Sequence, residues 1–219
     1  MLNEQEMDEM RYLEAYMKLP EVEQKRRMLE MYQNMTEEER QKTLADEYRK
    51  RVDEVERHKR EADGCRRDLL RAQGAKEEMC QELEQMKREL ELISKGLSNK
   101  EVREELQNDR EFQQQYQRKV HVYQAECEVS QKGNRHEEAL KNYQDIEEAL
   151  QKAQEKCMAA IEAYFKAESE EDKKKALGRY ATQEVILMGL SLEDYKRREE
   201  CRVSLKELKE AGNSLPGEE

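Results

Sequence analysis

The chain has no tryptophan, 2 phenylalanines and 2 prolines among its 219 residues. With so few large aromatic rings, a broad globular core would have little to fill it. Intrinsically disordered chains favour proline and glycine, and 2 Pro with 8 Gly argues against that class. No stretch approaches 18 consecutive apolar residues, so no membrane-spanning helix is expected. The N-terminus, MLNEQEMDEM, is acidic and lacks the apolar stretch of a signal peptide. The 5 cysteines include no C-x-x-C pair, which suggests reduced thiols in a cytoplasmic, intracellular setting with the nucleus left open.

Chemical signatures are missing as well. The residues three before His58, His121 and His136 are Val55, Arg118 and Gly133, so the Glu-x-x-His pairs of a di-metal bundle do not occur. Neither a phosphate-binding glycine loop nor a G-x-S-x-G elbow is found. No catalytic, cofactor-binding or metal-ligating residue is assigned, and the chain reads as non-enzymatic. The net charge of -11 comes with no basic tail, which makes nucleic acid a poor partner.

What the chain does have is charge and helix formers. Charged residues make up 42% and hydrophobic ones 36%, and the enrichment in Glu, Lys, Arg, Gln, Leu, Ala and Met favours long helices with narrow apolar seams. Between 44 and 97 two heptad tracks run side by side. One is Tyr48, Val55, Ala62, Leu69, Lys76, Leu83, Leu90 and Leu97; the other is Leu44, Arg51, His58, Cys65, Ala72, Met79, Met86 and Ile93. A sustained 3.5-residue repeat calls for a partner helix. The segment after Ser98 has a seam of its own: Val102, Leu106, Tyr116, Val120, Tyr123 and Cys127, then Leu140, Tyr143, Ile146, Leu150, Cys157, Ile161 and Tyr164. Folding the chain near 96–99 pairs Ile93 with Leu106, Leu83 with Tyr116, Ala72 with Cys127, Val55 with Tyr143 and Tyr48 with Leu150. His58 falls on the seam as a partly hydrated position.

The fold expected is therefore all-α: an elongated antiparallel coiled-coil hairpin with a small helical base formed by the N- and C-terminal segments. Residues 1–35 supply Met-rich helices, 36–167 the hairpin with a kink or break near 132–135, 168–211 a C-terminal helical pair, and 212–219 a flexible tail. The boundaries rest on capping boxes at Thr36–Glu39, Ser98–Glu101, Asn134–Glu137, Ser169–Asp172 and Ser191–Asp194, and on Gly96, Gly133 and Gly189 as helix stops. Pro20 suits the start of a helix.

Three features point outward. Seven of the 11 methionines fall within residues 1–35, and Met28, Met31 and Met35 suit either an adaptable docking face or gap-filling in a small core. The run Val185-Ile186-Leu187-Met188 is the densest apolar stretch. It reads as a helix corner at Gly189, with Ile186 and Leu187 in excess of one buried face and so available to a partner. Residues 49–71 carry a modest excess of basic side chains, including Arg66, Arg67 and Arg71. The role expected is a coiled-coil scaffold, adaptor or spacer subunit that binds other helical proteins, as a homodimer or in a hetero-oligomeric complex. The alternative is a membrane-associating, curvature-shaping dimer that uses the strip at 49–71.

Overall fold

A computed structural model describes residues 4–98, 103 and 109–213, with side chains from Arg11 onward. Every regular element among the described residues is helical. Helix α1 spans Glu4–Met17, α2 Glu21–Gln33, α3 Glu37–Leu97, α4 Arg110–Lys166 and α5 Glu170–Asn213. The capping box at Ser98–Glu101, the seam position Val102, the pairing of Leu106 and the tail beyond 213 lie outside the described residues, as do the side chains of the methionines before Arg11.

Local chemistry sets most of the ends. Pro20 caps α2 in an extended conformation, φ -56 and ψ 140, where its missing N–H costs nothing. Gln24 ties the α1–α2 elbow by donating to the Met17 carbonyl at 3.1 Å and the Leu19 carbonyl at 2.7 Å, while Tyr16 Oη donates to the Gln24 carbonyl at 2.5 Å. The box at Thr36 forms as read: Glu39 N–H donates to Thr36 Oγ1 at 3.2 Å, and Thr36 N–H to Glu39 Oε2 at 2.9 Å. At Ser169 the Asp172 N–H donates to the hydroxyl at 3.1 Å.

The glycine stops do not operate. Gly133 lies inside α4 and Gly189 inside α5, Gly96 lies within α3, and no described glycine has positive φ. An interior glycine costs a helix only about 1 kcal/mol relative to alanine, less than a well-packed flank returns. The predicted break at 132–135 is thus continuous helix, the C-terminal helical pair is the single helix α5, and Asn134 and Ser191 are interior residues, not caps.

The two long helices α3 and α4 pack antiparallel, as a hairpin requires. In the first unit the register differs from the expected one by a heptad. Pairing Val55 with Tyr143 would set Arg51 near Glu147; instead Arg51 bonds Gln154, and Glu147 bonds His58. A slip of seven residues returns apolar positions to apolar positions, so the seam pattern cannot choose between the two. The polar partners can.

Two compact units divide the chain. One comprises Met1–Arg66 and Asn142–Glu199, the other Arg67–Lys141 and Glu200–Glu219. In the first unit, α2 and parts of α3, α4 and α5 surround a continuous core that includes Tyr32, Leu44, Leu150, Cys157, Ile161, Tyr164, Leu177 and Tyr180. Tyr32 and Tyr180 meet edge to face with ring centroids 5.4 Å apart. In the second unit the α3 seam (Leu69, Ala72, Met79, Leu83, Met86, Leu90) is only half-buried, and the buried residues among those described are Val129, His136, Ala139 and Leu140, all on α4.

Candidate functional site

Leu44, Arg51, His58 and Cys65 are four successive positions of one heptad track, and all four are buried. The two polar members are the centres of two layers inside the first unit, each built by α3, α4 and α5 together.

In the first layer Arg51 Nη1 donates to Gln154 Oε1 at 2.9 Å and to Glu54 Oε2 at 3.1 Å. Its Nη2 donates to Glu47 Oε2 at 3.0 Å and to Glu184 Oε1 from α5. Gln154 Nε2 in turn donates to Glu54 Oε2 at 2.6 Å. Burial pushes the Glu184 carboxyl up, and the Arg51 charge opposes it. Arg51 Nε is buried with no partner. Cys157 is fully buried, and burial pushes its thiol up to about 12, far from a reactive thiolate.

One heptad on, His58 Nδ1 lies 2.5 Å from Glu147 Oε2, and its Nε2 lies 3.2 Å from Arg57 Nη2. A guanidinium only donates, so Nε2 accepts from Arg57 and Nδ1 donates to Glu147. Arg198 of α5 donates to Glu147 Oε1 at 2.9 Å, binds Asp194 at 2.9 Å and reaches Glu61. Tyr143 Oη donates to Glu61 Oε2 at 2.7 Å, and Arg198 sits 5.4 Å from the centre of the Tyr143 ring. Burial would raise the fully buried Glu147, but its hydrogen bonds, that from His58 foremost, bring it down to about 2. Asp194 goes the other way: burial lifts it to about 6 against the pull of Arg198.

These layers fix alignment. Sliding α4 or α5 by one heptad would leave Arg51, Glu147 or Glu184 buried without its counter-charge, at a cost of several kcal/mol. His58, expected to be partly hydrated, is 3% exposed. The reason is a third helix, whose Arg198 and Asp194 complete the layer. Glu147, Gln154, Glu184 and Arg198 were not singled out from the sequence. The available signal was an acid on an apolar face: Glu184 follows Leu177, Tyr180 and Ala181 at helical spacing.

The residues proposed as contacts separate. Ile186 is 44% exposed and Met31 45% exposed, so both face outward. Leu187 is 3% exposed and belongs to the core. It is corrected from contact residue to packing residue, because α5 runs on past Gly189 and turns that side chain inward. Met28 and Met35 pack against the core, which is the gap-filling alternative for those two. Arg66 and Arg67 are exposed, and Arg71 pairs with Asp68 at 3.2 Å. Arg51 is removed from the basic strip altogether by its burial.

In the second unit α4 and the end of α5 border an open groove of about 520 Å³ lined by His121, Gln124, Ala125, Glu128, Lys132, Glu207 and Glu210. Among the described residues no three His, Cys, Asp or Glu side chains are grouped as a metal ion would need, and no helix is long and apolar enough to cross a membrane. The chain matches no family model, no curated protein and no solved structure.

Proposed function

We propose that the protein is a non-enzymatic coiled-coil scaffold or spacer subunit of a cytoplasmic assembly, working through helix–helix contacts with other helical proteins. The observation that carries this reading is the half-exposed seam of the second unit. No residue of α3 beyond Cys65 is buried, yet Leu69, Met79, Leu83, Met86 and Leu90 keep the heptad spacing that partner helices recognise. Leu70 and Leu92, 63% and 67% exposed, add apolar side chains outside the seam. Ile186 and Met31 do the same on the first unit.

The test is affinity capture with the full-length chain, run beside light scattering for mass. The paired variants Leu70→Glu/Leu92→Glu and Ile186→Glu/Met31→Glu should keep the wild-type helicity, and at least one pair should lose a saturable helical partner or the self-association seen by mass. A chain that stays monomeric and captures the same proteins in all three forms would refute the scaffold reading. Salt-sensitive sedimentation with anionic vesicles, abolished by Arg66→Glu/Arg67→Glu, would put the membrane-shaping alternative in its place.

A further inference from the structure

Helix α5 changes character along its length. Between Ala176 and Leu187 it buries Ala176, Leu177, Tyr180, Ala181, Glu184, Val185 and Leu187. From Met188 to Asn213 no described residue is buried. In the second unit the last turns of α5 nonetheless lie on α4, where Ser204 meets His136 and Glu207 meets Lys132; the buried residues of α4 nearby include Val129, His136 and Leu140. These three are spaced by seven and four residues, so they share one face, and each is less than 9% exposed.

Two contacts of these turns with α4 are polar and partly wet. His136 Nδ1 lies 2.9 Å from Ser204 Oγ. The Ser204 hydroxyl donates to the Cys201 carbonyl at 3.0 Å, so the imidazole is the donor to Ser204 Oγ. Lys132 meets Glu207 at 3.8 Å, with 41% of the Glu207 side chain in solvent. Exposed pairs of this kind contribute roughly 0–1 kcal/mol. Beyond them the helix borders the open groove, where an interlocked interface would have side chains. A segment with few buried apolar contacts and solvated cross-helix bonds opens at a far lower free energy than the core.

We propose that residues 200–213 are a displaceable cover on the second unit, lifting from α4 at His136 and Lys132 while the first unit stays folded. The cover opens in the isolated chain whether or not a partner exists.

The chain carries its own reporters. Cys201 is half-buried in the cover, Cys157 is in the core of the first unit and Cys80 is exposed. Full-length protein is treated with N-ethylmaleimide under native conditions, and modification at each cysteine is followed by peptide mass spectrometry. Cys80 should react first. Cys201 should follow at least about tenfold faster than Cys157. Lys132→Glu, which sets like charges against Glu207, should speed Cys201 several-fold and leave Cys157 unchanged. Equal rates at Cys201 and Cys157, or a parallel rise at both in the variant, would mean that the segment opens only with global unfolding and would overturn the proposal. A Cys201 rate indifferent to Lys132→Glu would overturn it too, since the thiol would then be reached without any opening.

Discussion

The two units of this chain use the same helices in different ways. In the first, α3 and α4 have α5 beside them, and the heptad track Leu44, Arg51, His58, Cys65 disappears from solvent. In the second, the same track continues as Ala72, Met79, Met86 and Ile93, and every one of these stays half-exposed. The more polar stretch of seam is therefore the better buried, and the more aliphatic stretch the less. Burial follows the number of helices around the seam, while hydrophobicity decides only what fills it. Charges can be buried in the first unit because three helices surround each of them with partners.

The largest expected effect comes from breaking the arginine layer. Arg51→Ala leaves Glu184 buried without its cation and should cost about 3–5 kcal/mol, read as a fall in the urea midpoint of the first unit. Arg51→Met with Glu184→Leu should recover most of that loss; if the double variant is no better than the single, the layer contributes more than charge balance.

Next come paired cavity variants. Leu150→Ala, at a site 1% exposed, should cost about 3 kcal/mol, and Leu90→Ala on the half-exposed seam roughly a third as much. Equal losses would erase the distinction between the units.

Acid should separate them by sign. Asp194 and Glu184 in the first unit bind protons more readily folded than unfolded, Asp194 at about 6. The first unit therefore gains stability as pH falls from about 7 to about 5, and Asp194→Asn should remove much of that gain. Burial lowers His136 in the second unit, so the unfolded chain binds the extra proton and the second unit loses stability over the same interval. Below about 4.5 the first unit loses in turn, because Glu147 is held at about 2 when folded. Hydrogen exchange resolved by peptide and corrected for intrinsic rates would show the opposite slopes. Parallel slopes would contradict the assignment of these groups.

The smallest effect belongs to Gly133→Ala in the second unit. A Cβ there meets nothing within 4 Å and φ is not positive. The variant should gain about 0.5–1 kcal/mol in thermal denaturation. Destabilisation would revive a kink at that position.

Much of this was written in the sequence. The helical class, the antiparallel hairpin, both heptad tracks and the caps at Thr36 and Ser169 follow from patterns local to one segment. The register and the polar layers do not, because they depend on pairs far apart in the chain. Arg51 and His58 look like flaws in a two-helix seam until Glu184 and Arg198 stand beside them. The apolar run at 185–190 has the same explanation. It is an unbroken piece of α5 with Leu187 inside, Ile186 outside and Gly189 close to the Met17 side chain: a Cβ at Gly189 would come within 3.1 Å of Met17 Cε. Glycine at that point serves close approach; the sequence offered it equally well as a stop.

The edge-to-face contact of Tyr32 and Tyr180 has an optical consequence. With no tryptophan present, the ultraviolet signal of the chain belongs to its 10 tyrosines. Burial pushes Tyr32 up to about 12, and Tyr180 and Tyr143 are raised well beyond the usual phenol range. All three lie in the first unit. An alkaline titration followed by tyrosinate absorbance will therefore end in a late phase that records the integrity of that unit alone, with no label attached.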